Sequence, residues 1–159
     1  MAVVLIIAII LLLAGNYIKN YESGTALNYL PVELSFQEKN EANKDSVVVA
    51  SSNAELKNFS GMTVDASVFD EYVVLGIIAD GTPTTGYSIK IDKIYLRGSQ
   101  VNINYRINSP KTLIETDEVS YPNTLLKLEK SNLPTDVPVE FRFNNLSDLH
   151  TELISKIIK

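Results

Sequence analysis

Residues 87–107 read YSIKIDKIYLRGSQVNINYRI, and this stretch decides the fold. Apolar residues occupy every second position from Val101 to Ile107, which is the period of a β-strand with one buried face. The first half alternates as well, but its apolar residues change from odd to even positions at Asp92-Lys93, which predicts a β-bulge. Arg97-Gly98-Ser99 has the composition of a turn, so the whole stretch predicts an antiparallel hairpin.

Short apolar segments on both sides of this hairpin predict further strands. They cover residues 31–36, 46–50, 72–78, 125–128 and 139–143. Ser52 to Glu55 has the spacing of a capping box and predicts a short helix that ends at Gly61. The expected fold class is therefore all-β, a small antiparallel β-sandwich or barrel with one short internal helix over a domain of residues 31–144.

The C-terminal residues have a different spacing. From residue 145 onward, Leu146, Leu149, Leu153 and Ile157 recur at intervals of three and four, which predicts an amphipathic helix over residues 145–159. Such a helix would either cover an open face or edge of the sheet, or bind a partner or a membrane.

The N-terminal residues predict a membrane segment. Residues 2–14 are apolar without exception, which predicts a transmembrane anchor or signal segment over residues 1–19, followed by a linker over residues 20–30. Residues 12–16 match a signal-peptidase site poorly, and no basic residue precedes the apolar run. We therefore favour an uncleaved anchor over a cleaved signal peptide.

Composition excludes several classes of function. The chain of 159 residues has no cysteine, which removes disulfides, thiol nucleophiles and thiolate metal sites. A net charge of -5 with scattered Lys and Arg argues against a nucleic-acid partner. The single histidine, His150, has no catalytic context, and the acidic clusters around Asp65 and Glu115 lack the spacing of a calcium loop. We predict no enzymatic activity, no cofactor, no metal and no small-molecule substrate.

The segment between the apolar run 72–78 and the hairpin is the best candidate for a binding site. It reads Gly81-Thr82-Pro83-Thr84-Thr85-Gly86-Tyr87. Its glycines permit positive φ angles and its proline fixes an extended entry, so the threonines between them are expected in a loop presented to solvent. The candidate protein-binding residues here are Pro83, Thr84, Thr85, Gly86 and Tyr87. A plain strand connection is the alternative, with Tyr87 as a core or rim aromatic.

These residues also carry a family resemblance. The Gly-Tyr-Ser element at residues 86–88 precedes an alternating strand, and Tyr121-Pro122 precedes a short apolar strand. Over about residues 46–130 the chain resembles the C-terminal domain of PrcB-type protease-complex subunits. The resemblance implies an extracytoplasmic, non-catalytic module that associates with a protease complex and stabilises it. It adds Tyr121 and Pro122 to the candidate site.

A second resemblance involves the same loop. Residues 82–87 are similar to the Asn-Pro-Thr-Thr-Gly loop of chagasin-type inhibitors, which place that loop in the active-site cleft of cysteine peptidases. Thr82 stands where these inhibitors have Asn, and neither their second glycine-rich loop nor their Arg-Pro-aromatic loop is present. This resemblance implies a peptidase inhibitor, which is our second hypothesis.

Overall fold

The structure, a computed structural model, describes residues 24–32, 46–79, 82–84, 86–110 and 115–159. Most of these residues lie in strands: β1 (Thr25–Ala26), β2 (Leu30–Pro31), β3 (Ser46–Ala50), β4 (Tyr72–Ile78), β5 (Thr82–Thr84), β6 (Ser88–Arg97), β7 (Gln100–Asn108), β8 (Glu115–Ser120), β9 (Asn123–Glu129), β10 (Pro138–Asn145) and β11 (His150–Ile157). The same ranges contain the helices α1 (Asn53–Ser60) and α2 (Val68–Glu71) and a 3₁₀ turn (Lys130–Asn132).

Two sheets face each other across one apolar core. Among the described strands, sheet A has the order β1-β6-β7-β10-β11 and sheet B has the order β2-β9-β4-β3. Buried residues from both sheets form a single cluster, which includes Leu75, Ile103, Leu128, Phe141 and Phe143. The predicted β-sandwich is therefore confirmed.

One pairing departs from the predicted antiparallel arrangement. β10 runs parallel to β7, with Phe141 beside Val101 and Phe143 beside Ile103. A parallel pair needs a long crossover. The chain supplies it between residues 109 and 137, where it leaves sheet A and contributes β9 to sheet B. The other described pairings within the two sheets are antiparallel.

The β-bulge predicted in the hairpin is confirmed. The register of β6 against β7 shifts between Ile91 and Lys93, so Asp92 is the extra residue. This residue turns Ile94 toward the core, where it is buried. A bulge thus lets both halves of a strand with mismatched periodicity present apolar residues to one core.

Strand β4 is buried on both faces, which explains its uninterrupted apolar sequence. Leu75 and Ile77 join the core between the sheets, whereas Val74 joins a second cluster under α1. A Cβ added at Gly76 would lie 3.1 Å from Phe59 Cε1 of that helix. The missing side chain therefore makes room for α1 on sheet B.

Helix α1 has the ends that the sequence predicts. Ser52 is the N-cap, and its Oγ accepts a hydrogen bond from the Glu55 N–H at 3.4 Å. Glu55 Oε2 accepts one from the Ser51 N–H at 2.6 Å. Gly61 ends the helix in the left-handed conformation with φ 69°. Leu56 is fully buried, so the predicted packing helix is confirmed.

The predicted C-terminal helix over residues 145–159 is wrong. The chain turns at residues 146–149 and returns as β11, which pairs antiparallel along the whole length of β10. The apolar spacing misled the prediction because residues four apart share a face in a helix and also in a strand. β10 offers backbone groups for pairing, and β11 contains three β-branched residues, so tertiary context favours a strand.

Much of the N-terminal prediction falls outside the described residues. The membrane segment over residues 1–19 and most of the predicted strand over residues 31–36 lie there. Within the part of the chain that the structure describes, no helix is long and apolar enough to cross a membrane. Within the second half of the predicted linker over residues 20–30, β1 pairs with β6, and β2, which begins at Leu30, pairs with β9.

Candidate functional site

The candidate loop lies in a two-stranded ribbon that belongs to neither sheet. β5 pairs antiparallel with β8, with Thr82 opposite Ser120 and Thr84 opposite Glu115. The register shifts between these two pairs, so β8 is locally irregular. We call this element the crossover ribbon.

The crossover ribbon is made by the two connections that join the sheets. β4 of sheet B leads through β5 to β6 of sheet A. β7 of sheet A leads through β8 back to β9 of sheet B. Because the two connections pair with each other, they cross between the sheets at the same end of the sandwich.

Two of the predicted site residues lie at the root of the crossover ribbon. The ladder between β4 and β9 ends with Ile78 opposite Asn123. Next along the chain, the Ala79 N–H donates a hydrogen bond to the Pro122 carbonyl at 2.8 Å. The crossover ribbon begins just beyond this bond and so continues the ladder past the end of sheet B. Pro122 is buried and Tyr121 is half-buried at this junction.

Gly86 and Tyr87 join β5 to sheet A. Gly86 has a φ of 95°, in the left-handed region. A Cβ at this position would lie only 2.9 Å from Pro110 Cβ. Glycine is therefore required here both by backbone conformation and by space. Tyr87 is half-buried, so part of this aromatic side chain stays accessible beside the ribbon.

The elements from β4 to β9 together carry a family signature. They match the PrcB C-terminal family. The PrcB C-terminal match covers residues 73–129, which contain the crossover ribbon, its root and the hairpin of β6 and β7. The resemblance inferred from sequence is thereby confirmed for these residues. No curated protein and no solved structure matches the chain.

Within the PrcB C-terminal match, sequence reasoning missed the partner strand of the loop. The polar composition of residues 111–120 predicts a long connection, yet residues 115–120 form β8. Thr116 and Val119 were the available signal, because β-branched residues favour strands. Residues 82–84, predicted as an exposed loop, form β5 instead, and Thr85 lies outside the described residues.

One acidic residue near the PrcB C-terminal match, Asp65, stabilises a turn. Asp65 Oδ1 accepts hydrogen bonds from the Ser67 N–H at 2.9 Å and from Ser67 Oγ at 2.8 Å. These bonds lower the pKa of Asp65 and hold the turn that leads into α2. Over the described ranges, no three His, Asp or Glu side chains are grouped as a metal site would require.

Proposed function

We propose that this chain is a non-catalytic binding module whose crossover ribbon contacts a protein partner, and that the partner is a protease complex which the module stabilises. The observation that supports this most is the coincidence of three features in one place. The ribbon lies inside the PrcB C-terminal match, pairs with neither sheet, and contains the segment that the sequence marks as a candidate loop.

The ribbon has the properties of a pre-organised recognition element. Its root is fixed by the hydrogen bond between Ala79 and Pro122, and its exit is fixed by the left-handed Gly86 against Pro110. An element held at both ends loses little conformational freedom on binding, which favours affinity. A two-stranded ribbon also has backbone groups on its outer edges that can pair with a strand of a partner.

The chemistry of the ribbon suits a protein surface better than a small molecule. Thr84 and Thr85 supply hydroxyl groups that can donate and accept hydrogen bonds. Tyr87 and Tyr121, both half-buried, combine an apolar ring with a polar tip, as interface aromatics do. Pro83 and Gly86 set the backbone around these groups.

The proposal includes a place in the cell. Residues 1–19 would anchor the chain in a membrane, and the sandwich would lie on the extracytoplasmic side, beside the protease complex. The apolar composition of residues 2–14 supports the anchor. The resemblance to PrcB-type subunits supports the side of the membrane.

A capture experiment tests this function. Full-length chain with Thr84→Ala and Thr85→Ala, solubilised in mild detergent, should capture less protease than wild type, while its melting temperature stays within a few degrees. The sequence predicts that both threonines are exposed, and substitutions of exposed polar residues typically change stability by only about 0.5 kcal/mol. The matched control is Thr25→Ala with Thr135→Ala, since both threonines are exposed and distant in sequence from the ribbon.

Two results would contradict this proposal. Early unfolding of the ribbon variant would make the threonines structural, and capture of a protease by wild type and variant alike would place the binding surface elsewhere. Adding the wild-type chain to papain-like peptidases separates the second hypothesis. We expect no inhibition, because one loop cannot supply the buried central contacts of an inhibitor interface. Stoichiometric inhibition would instead establish the chagasin-type function.

A further inference from the structure

The outward-facing side chains of the edge strand β11 are uncharged, and two of them, Leu153 and Ile157, are large and apolar. Leu153 and Ile157 of β11 are 56% and 52% exposed, and Leu149 in the turn before the strand is 85% exposed, although the sequence predicted all three on one stripe of a helix. The residues between them on the same side of β11, Thr151 and Ser155, are uncharged and exposed as well. Exposed edge strands usually carry charges, prolines or bulges that prevent pairing with another chain. β11 has no proline and no bulge, and its charged residues Glu152 and Lys156 lie on the inward side, where they oppose pairing with another chain unless opposite charges meet them.

The other edges of the two sheets show the contrast. β1 and β2 are each two residues long, β2 ends in Pro31, and β3, the other edge of sheet B, has five residues. β11 has eight residues, and among the described strands it pairs only with β10. Its free side therefore offers a continuous row of backbone donors and acceptors that a further strand can use.

The sequence of β11 is complementary to itself in the antiparallel direction. Glu152 and Lys156 lie symmetrically about Ile154, all three on the inward side, where they are half-buried. If a second β11 paired with the first about a two-fold axis at Ile154, Glu152 of each copy would stand opposite Lys156 of the other. Opposite charges directly across a strand pair stabilise it by roughly 0.2–1 kcal/mol.

Lys156 has a donor free for such a contact. Its ammonium donates to the Val49 carbonyl at 2.9 Å and to Glu55 Oε2 at 2.6 Å. A lysine has three N–H donors. The third is available to Glu152 of a second copy, without loss of either bond within the chain.

Neighbouring registers lose this complementarity. An axis at Leu153 would put His150 opposite Lys156, and an axis at Ser155 would put Lys156 opposite Ile154. The axis at Ile154 also brings both copies of Leu153 next to each other and next to Ile157 of the other copy, at diagonal positions within side-chain reach. The exposed aliphatic side chains would then form one contiguous patch.

We propose that two copies of this chain pair through β11 about a two-fold axis at Ile154, so that their A sheets become one continuous sheet. Such an isologous contact closes on itself and leaves no further β11 edge free, so it ends at the dimer. β11 lies outside the PrcB C-terminal match, so this inference does not depend on the function proposed for the crossover ribbon.

Cysteine cross-linking of the full-length chain tests the register. The chain has no cysteine, so an introduced thiol is the only one present. Directly opposed residues have Cβ atoms about 4.5–5.5 Å apart, close to the spacing of about 3.5–4.5 Å that a disulfide bridges. Ile154→Cys should therefore give most of the protein as a covalent dimer after mild oxidation.

Thr151→Cys is the matched control for cross-linking. This exposed residue lies on the same strand, but its copy in the dimer would be six residues away along the pair, roughly 20 Å. It should remain a monomer on a non-reducing gel. Equal cross-linking of both variants, or no cross-linking of Ile154→Cys in folded protein, would overturn the proposal.

A second measurement covers the case in which Ile154→Cys fails to fold. Leu153→Lys should reduce the mass of the detergent-solubilised full-length chain from two copies to one in sedimentation, with the melting temperature retained. Leu30→Lys, at a residue 49% exposed on β2, should stay dimeric. If wild type has the mass of one chain, or if Leu153→Lys and Leu30→Lys both remain dimeric, β11 does not pair two copies. A large loss of stability in Leu153→Lys would show that the chain itself covers this edge.

Discussion

One glycine lies at the exit of the crossover ribbon, and a second, in the turn between β6 and β7, provides a comparison. Gly86 and Gly98 both have positive φ angles, 95° and 61°, so both positions favour glycine. Their surroundings differ. An added Cβ at Gly86 would collide with the ring of Pro110, whereas at Gly98 it would meet nothing within 4 Å.

Replacing each of these glycines with alanine should show how much stability is lost to the left-handed backbone conformation and how much to the collision with Pro110. A left-handed conformation costs a non-glycine residue about 1–2 kcal/mol. Gly98→Ala should therefore lower the free energy of unfolding by roughly that amount. Gly86→Ala should lose about 1–3 kcal/mol more, because a proline ring cannot move aside without backbone strain. Chemical denaturation of both variants gives the comparison.

Restoring space tests the cause of the additional loss at Gly86. Pro110→Gly combined with Gly86→Ala removes the colliding ring atom, so part of the loss should return relative to Pro110→Gly alone. Equal losses in Gly86→Ala and Gly98→Ala would show that the contact with Pro110 contributes nothing.

At the scale of elements, the bulge in β6 lets both halves of the strand face the core, although the apolar residues lie at odd positions in the first half and at even positions in the second. Deleting Asp92 leaves only Lys93 between Ile91 and Ile94, so the two isoleucines are two positions apart, which is the spacing of a regular strand with both side chains inward. The variant loses the 2.8 Å ion pair between Asp92 and Arg106, which is partly exposed.

The deletion of Asp92 should therefore be tolerated, with a loss of only about 1 kcal/mol for the exposed ion pair. Deleting Asn104 from the regular strand β7 is the control. It reverses the inward and outward positions of all residues on one side of the cut, so it should abolish cooperative unfolding. Thermal denaturation followed by circular dichroism distinguishes the two, and equal damage from both deletions would mean that the bulge itself is needed.

The contrast between β6 and β11 explains how much of the fold the sequence could predict. In β6 and β7, apolar residues alternate strictly except for one change of parity. This pattern fits a pair of strands with a bulge, so the hairpin could be predicted from the sequence. In β11, the apolar residues lie four apart, which fits a helix and a strand equally well. The choice between them depended on β10 as a pairing partner, which is tertiary information.

The candidate site was also predictable only in part. Gly86, Pro122 and the PrcB C-terminal match were accessible from short local motifs. The pairing of β5 with β8 was not, because residues 82 and 120 meet only after both connections cross between the sheets. The sequences of β5 and β8 are mostly polar, so they contain no hydrophobic periodicity to detect.

At the scale of the whole molecule, the Lys156 side chain connects the two sheets through hydrogen bonds. Lys156 of β11 in sheet A bonds to Val49 of β3 in sheet B and to Glu55 of α1. Partial burial raises the pKa of Glu55, but the hydrogen bond from Lys156, the bond from the Ser51 N–H and the positive charge of Lys156 more than offset this. The pKa of Glu55 in the folded chain is therefore below its ordinary value of 4.5.

This lowered pKa makes stability depend on pH. The contribution of the Glu55 carboxylate is present above its unfolded pKa of about 4.5 and is lost as the pH falls through the lower folded value. Because the carboxylate is about half exposed, its contribution is about 0–1 kcal/mol. Melting temperatures of wild type and Glu55→Gln should differ at pH 6 and converge in strong acid. Glu71→Gln on α2 is the control, and a wild-type advantage that grows as pH falls would contradict the assignment.

The parallel pairing of β10 with β7 has a consequence for how the chain folds. Sheet B is complete once β9 has been made, but sheet A must wait for the last two strands, and Lys156 reaches a partner 107 residues earlier in sequence. Contacts of such separation are slow to form because a long loop must close first. During synthesis, the part of the apolar inner face of sheet B that Phe141 and Phe143 cover therefore remains open to chaperones and to degradation until β10 and β11 have emerged.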